Sequence, residues 1–380
     1  MMMNEVKAGI SMERLRGADE FVGRMIAEGK LAGAVSLVAK AGRTISLRAQ
    51  GFQDRERELP MREDTLFRIY SMTKIVTTVV VMALYERGVL DINDPASKYL
   101  PGFRDLPVLQ PDGSQVPSCR DVTIYDLLRH CGGVDAAAGA DVLRESYTLE
   151  SLAEEFGERP LIFQPGTTWK YSASTDLLAR VVEVVSGERF DAHLRRTVFE
   201  PLGMRDTGYF VEDARAGRLS VCYHHAADGS LTVQDGAGSE SPFRREPKLF
   251  GGGSGLVSTA GDYARFAAML LGGGTLEGCR LLGRKTVELM TLDHLPPEHP
   301  NLAIGTQVFR FGLGVSVLTD IAQSRCLSSL GEYGWGGAAG TQVWINPAED
   351  LLALIMIQVR ADIPTGIMDI YKRLVYQALV

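Results

Sequence analysis

The chain has 380 residues, 45% of them hydrophobic and 23% charged, with a formal net charge of -7 and a pI near 5.5. Such values belong to a soluble globular protein and exclude long disorder, and the length exceeds a usual single core, so two packed lobes are expected. No stripe of Lys or Arg invites nucleic acid or an anionic membrane, and the most apolar run, Ile75 to Leu84, is shorter than the about 20 residues of a bilayer span.

Leu15, Ala18, Phe21, Val22, Met25 and Ile26 recur at helical spacing, and Gly29 follows as a stop. Residues 34–39 and 44–49 are apolar-rich runs around Ala41-Gly42 and predict a hairpin. The chain then reaches Phe67-Arg68-Ile69-Tyr70-Ser71 and enters a helix that is apolar on most sides up to Tyr85, with Gly88 as its end. A helix apolar all round is buried between other layers. From about Asp91 to Phe250 the pattern predicts helices, best over 123–129, 149–156 and 174–186, joined by Pro- and Gly-rich turns. The polar, weakly periodic piece 221–247 reads as a long loop. Helix returns over 260–271 and 284–290. Four strand-like runs follow, over 312–318, 325–330, 341–345 and 351–359, and Ile367, Ile370, Tyr371, Leu374 and Val375 predict a closing helix.

Strands thus lie at both ends of the chain and helices fill its middle. The expected fold class is α/β plus all-α. One domain, residues 1–66 and 251–380, holds an antiparallel sheet flanked by helices, and a mainly helical domain, 67–250, is inserted. The active site is expected in the cleft between them. Cys119, Cys131, Cys222, Cys279 and Cys326 are odd in number and form no C-x-x-C pair. They fit reduced thiols and argue against a disulfide framework or a zinc site. With no apolar leader over Met1 to Ile10, a cytoplasmic location is expected.

Three constellations point to chemistry. In Ser71-Met72-Thr73-Lys74 the i and i+3 positions share a helix face, so the lysine amine can meet the serine hydroxyl. Serine becomes nucleophilic only when a neighbour takes its proton, and a half-buried lysine at a helix start can do so. The second is Pro165-Gly166-Thr167-Thr168-Trp169-Lys170-Tyr171-Ser172-Ala173, which presents Tyr171 as a second proton acceptor or relay. The third is Tyr333-Gly334-Trp335-Gly336-Gly337-Ala338-Ala339-Gly340, where glycines in a strand permit close approach to a ligand. An N–H beside the nucleophile would complete an oxyanion hole there. His130 reads as structural, and His224-His225 are too isolated for a metal site. No cofactor or metal is expected.

Together these motifs resemble the β-lactamase-like serine hydrolases: class C β-lactamases, D-alanyl-D-alanine carboxypeptidases and above all the family VIII carboxylesterases. The resemblance also covers Leu90-Asp91-Ile92-Asn93-Asp94-Pro95, Ser97-Lys98-Tyr99-Leu100-Pro101, Thr123 to His130, Pro201-Leu202-Gly203-Met204 and Gly253 to Thr259. It implies Ser71 as nucleophile, Lys74 and Tyr171 as the base pair, and the Ser71 and Ala338 N–H groups as the oxyanion hole. Ser71 Oγ, Lys74 Nζ and the Tyr171 hydroxyl are then expected within hydrogen-bond reach of one another. Where the lactam-binding relatives carry Lys or His, then Thr and Gly, this chain has Trp335, Gly336 and Gly337, expected to bind substrate, with the indole lining an acyl or alcohol pocket. Ala173 replaces the amide of their Tyr-x-Asn. These departures favour hydrolysis of short-chain carboxylic esters, small neutral molecules. The alternatives are an acyltransferase, a weak β-lactamase or D-Ala-D-Ala peptidase using the same residues, and a non-enzymatic scaffold.

Overall fold

The strand Leu351–Met356 explains the architecture in six residues. Side chains alternate across a strand, and here both sets are apolar. Leu351, Ala353 and Ile355 join one core, and Leu352, Leu354 and Met356 join another. A strand buried on both faces belongs in the middle of a sheet covered by helices. The computed structural model, which describes residues 5–136, 144–304, 307–360 and 366–380, places it there.

Among the described residues the main sheet is antiparallel, in the order Leu302–Ile304, Gln307–Phe311, Ser316–Val317, Tyr333–Gly337, Thr341–Asn346, Leu351–Met356, Gly33–Lys40, Arg43–Asp54, Leu59–Pro60. Both chain ends feed it, as the order of elements suggested. The hairpin around Ala41-Gly42 is present, with φ of 51° and 68° at its two tip residues. That conformation matches the twist of the flanking strands. Helices Met12–Ala27 and Ile367–Tyr376 pack on one face of the sheet, over the smaller core. Ala260–Leu271 lies on the other face, where the larger core continues into helices Thr73–Glu86, Leu149–Gly157 and Ser174–Ser186. Thr73–Glu86 is buried along nearly its whole length.

Three expectations are corrected. Residues 325–330 form no strand. A short helix, Ile321–Ser324, ends at Arg325 in the left-handed region, and Leu327 and Leu330 are left exposed. The strand begins later, in the glycine-rich segment Tyr333–Gly337, which pairs with Thr341–Asn346 along its length. On its other side it pairs through Tyr333 and Gly334, to Val317 and Ser316, and among the described residues no strand pairs with Trp335 to Gly337 there. The run 312–318 contracts to Ser316–Val317, because the pairing strand upstream is Gln307–Phe311. Within 221–247, read as a loop, Cys222–His225 and Leu231–Asp235 pair antiparallel, and Val359–Arg360 adds in parallel.

This last sheet secures the approach to Ser71. Arg68, fully buried, reaches into it. It ion-pairs with Asp235 at 2.7 Å and donates to the carbonyls of Ser220 (2.6 Å) and Gly236 (2.7 Å). The Gln358 side chain accepts from the Arg68 backbone N–H and donates to its carbonyl.

Candidate active site

Ser71 sits in a single 3-10 turn, Tyr70–Met72, that opens the helix Thr73–Glu86. Tyr70, just before it, holds φ of 43°, a left-handed conformation that a tyrosine keeps only when its surroundings impose it. The surroundings do so. Ile69 N–H donates to Leu256, Tyr263 donates to the Met72 carbonyl, and Phe67–Arg68 pairs with Val257–Ser258. In the first turn of a helix the backbone N–H groups lack intrahelical acceptors, which leaves the Ser71 N–H available to an anion.

Lys74 lies one turn on, 6% exposed. Its Nζ stands 3.4 Å from Ser71 Oγ and donates to the Gly253 carbonyl at 2.6 Å. The segment Gly251 to Gly253 passes against it as a strap. Tyr209 donates to Gly251 O and Thr77 to Gly252 O, each at 2.7 Å, and Gly253 N–H donates to Asp176 Oδ1 at 2.8 Å. A Cβ on Gly252 would stand 2.3 Å from the Thr175 carbonyl, and one on Gly253 would stand 2.6 Å from Asp176 Oδ2.

Tyr171 is brought to the same place, but differently from the expectation. Lys74 Nζ lies over its ring, 4.5 Å from the centroid. Its hydroxyl accepts the Trp335 indole N–H at 3.2 Å. Among the described residues no hydrogen bond joins Tyr171 to Ser71 or Lys74. The reason is local: the ring face, and not the hydroxyl, is turned to the amine.

Trp335 is correspondingly less of a pocket wall than expected. It is 7% exposed, with Tyr171 tilted against it at 5.6 Å and the Phe309 and Phe311 rings set edgewise to it at 5.8 and 5.4 Å. Gly337 has a packing reason for its identity. A Cβ there would lie 2.4 Å from the Ile69 carbonyl, so the strand end runs directly beside the turn that carries Ser71. Gly336 faces Gln342, where a Cβ would stand 2.2 Å from its side-chain oxygen. Ala338, one residue beyond the strand, is exposed, and among the described residues its N–H donates to no backbone acceptor.

His130 completes the aromatic side. It is buried, its ring 4.9 Å from that of Tyr171, with Nδ1 3.2 Å from Ser172 Oγ. Burial, reinforced by the Lys74 charge, pushes its imidazole down to about 3, so it is neutral at neutral pH and no acid or base for the reaction. Cys131 is buried and pushed up to about 12 by that burial, which makes it an inert thiol.

The sequence reading missed the Gly253 carbonyl and Asp176. The triplet Gly251-Gly252-Gly253 was a signal, because consecutive glycines mark close backbone approach. Asp176 gave none, since an acid in a first helical turn is ordinary. Among the described residues no group of His, Cys, Asp and Glu could hold a metal ion, and no helix is long and apolar enough to cross a membrane.

A family model described as Beta-lactamase matches residues 18–378. Protein Rv1367c of Mycobacterium tuberculosis is 34% identical over 351 residues, covering 87% of this chain and 86% of that one. Esterase EstB of Burkholderia gladioli is 30% identical over 383 residues, 93% of each. Among solved structures, EstCE1, a hydrolase with promiscuous acyltransferase activity, superimposes with a TM-score of 0.80 at 27% identity, covering 96% of this chain and 99% of its own.

Proposed function

The chain belongs to the beta-lactamase family and is a serine hydrolase of that fold, and on that premise we propose that it is a carboxylesterase acting on short-chain esters, with Ser71 as nucleophile. The observation that carries the reading is the placement of Lys74 Nζ, 3.4 Å from Ser71 Oγ and fixed by the Gly253 carbonyl. Ser71 Oγ attacks the ester carbonyl carbon while its proton passes to the Lys74–Tyr171 pair. The oxyanion of the tetrahedral intermediate rests on the N–H groups of Ser71 and Ala338. The pair returns the proton to the departing alcohol, and water then cleaves the acyl-enzyme by the same route. Lys74 Nζ lies over the Tyr171 ring, so the base is treated as the pair.

An ester is favoured over a β-lactam because the third motif supplies no cation for a carboxylate. Trp335 has one donor, and that donor is engaged by Tyr171. A β-lactam's strained ring could still acylate Ser71, so the reading sets a ranking. Expected are a kcat/KM for p-nitrophenyl butyrate well above that for nitrocefin, labelling of Ser71 by a fluorophosphonate, and a Ser71→Ala variant slower by several orders of magnitude with its fold intact. Nitrocefin as the better substrate would overturn the ester assignment, and near-normal turnover by Ser71→Ala would overturn the nucleophile.

Acyl transfer to an alcohol is the second reading. It is supported by the likeness to EstCE1 and by the aromatic side chains around Tyr171, which favour an apolar acceptor over water. Ester formation upon addition of a primary alcohol to the p-nitrophenyl butyrate reaction distinguishes it.

A further inference from the structure

Lys74 needs a partner that holds its nitrogen toward Ser71, and that partner is a backbone carbonyl with no side chain of its own to fix it. Gly253 has only a hydrogen where other residues carry packing atoms, so its carbonyl direction depends on what grips the strap. Tyr209 holds the Gly251 carbonyl, and Thr77 holds the Gly252 carbonyl, the other end of the peptide whose N–H is that of Gly253. The contact on Gly253 itself is the Asp176 carboxylate, 2.8 Å from its N–H. Asp176 stands in the first turn of Ser174–Ser186, a helix anchored in the larger core through Leu177, Leu178, Val181 and Val182. Its two oxygens lie against the strap at Gly251 and Gly253 so closely that a Cβ at either would stand 2.9 or 2.6 Å from them. The carboxylate is rigidly mounted, and the strap is mounted on it.

We propose that Asp176 is a positioning residue for Lys74, fixing Gly253 so that its carbonyl holds the amine against Ser71. This rests on the assignment of Lys74 to the base pair. Asp176 touches neither Ser71 nor the reacting atoms. It acts through the Gly253 Cα: its Oδ1 accepts the N–H of the peptide that enters Gly253, and the carbonyl that accepts from Lys74 belongs to the peptide that leaves it. Burial pushes the Asp176 carboxyl above the usual range, opposed by the Lys74 charge and by the strap N–H groups that bond it. The strap N–H groups of Gly252 and Gly253 are what this buried carboxyl meets.

The role predicts which kinetic constant moves. Loss of the grip would displace the amine without altering the substrate pocket, and a displacement near 1 Å costs on the order of 100-fold in rate. Asp176→Ala is expected to lower kcat on p-nitrophenyl butyrate about 100-fold with KM within about three-fold. Asp176→Asn, which retains an oxygen acceptor for the Gly253 N–H, is expected to recover most of that loss, to within about ten-fold of wild type. Unchanged kcat in a folded Asp176→Ala would overturn the proposal, as would an Asp176→Asn no better than alanine. If Asp176→Ala does not fold, Asp176→Asn decides alone: kcat within about ten-fold sustains the role, and a loss of about 100-fold overturns it. Lys74→Ala, measured alongside, separates the two readings. Retained turnover in Lys74→Ala defeats the base assignment. Lost turnover in Lys74→Ala with retained turnover in Asp176→Ala defeats only the positioning role.

Discussion

Lys74 stands between two walls built on opposite plans. On one side is the strap of Gly251 to Gly253, which meets the amine with main chain, accepts hydrogen bonds from Tyr209 and Thr77 and donates one to Asp176. On the other are rings: Tyr171 under the amine, Trp335 on the Tyr171 hydroxyl, and His130 beside it. The glycine side has no room. The aromatic side consists of side chains whose donors and shapes could be exchanged one at a time. Main chain sets where the amine is, because it tolerates no variation, and side chains set what the neighbouring phenol does, because they can be varied without moving the backbone.

The comparison breaks most visibly on the glycine side. Gly252→Ala would place a methyl 2.3 Å from the Thr175 carbonyl, 2.7 Å from Ala179 Cβ and 3.1 Å from Thr77 Cγ2. None of these is the end of a flexible side chain, so the strap must shift. Overpacking of this kind costs about 1–3 kcal/mol in stability, and a shifted Gly253 carbonyl should cost on the order of 100-fold in kcat. Thermal unfolding and steady-state kinetics on one preparation check both. Full activity in a Gly252→Ala protein would mean that the strap is slack.

On the aromatic side a subtler change suffices. Trp335→Phe keeps a ring among Tyr171, Phe309 and Phe311 but deletes the N–H that reaches the Tyr171 hydroxyl. A hydrogen bond to a charged group contributes about 1.5–3 kcal/mol. If the phenol ionises during the reaction, its loss should lower kcat/KM by about ten-fold or more and move the acid limb of the pH–rate profile upward. If Trp335 acts only as a wall, Trp335→Phe should leave the profile in place and change KM with acyl length.

How much of this was legible in the sequence follows the same division. The elements with strong periodicity, such as Thr73–Glu86 and Ser174–Ser186, appear where the pattern put them, because their apolar faces have nowhere else to go. Ser71 and Lys74 were legible because the i, i+3 relation of a helix is local. The strands Cys222–His225 and Leu231–Asp235 were not, since Leu231–Asp235 is short and largely exposed, and the third strand, Val359–Arg360, lies more than a hundred residues away. The tryptophan–tyrosine hydrogen bond was equally hidden. The motifs named both residues, but only the fold decides that Trp335 meets Tyr171 before it meets substrate. The strand at 325–330 misled because Leu327 and Leu330 suggest burial that the fold does not give them.

The smallest effect at neutral pH is expected at His130, and it sharpens the comparison because it separates activity from stability on the aromatic side. The imidazole is held at about 3 by burial and by Lys74, far below the value near 6.5 of an unfolded histidine. Between those two values the unfolded chain binds a proton at this site and the folded chain does not. Stability therefore falls as pH drops from about 6.5 toward 3, with a slope approaching 1.4 kcal/mol per pH unit from this group. Burial lowers His193 and His294 as well, adding to the same trend, while the raised carboxyls of Asp19, Asp176 and Asp262 oppose it above their ordinary range. Those contributions are common to wild type and to a His130 variant, so the difference between the two isolates His130. Asn is the replacement of choice. It tolerates the left-handed backbone that His130 adopts at φ of 57°, and its amide can still meet Ser172. Near pH 7.5, His130→Asn should retain kcat within about three-fold, because an imidazole held at about 3 is too weak a base to take the serine proton. Between pH 6 and 4 its unfolding free energy should fall less steeply than that of wild type. Parallel curves through that window would mean that His130 titrates normally and is hydrated in the folded protein, and the aromatic side of the site would then be wet.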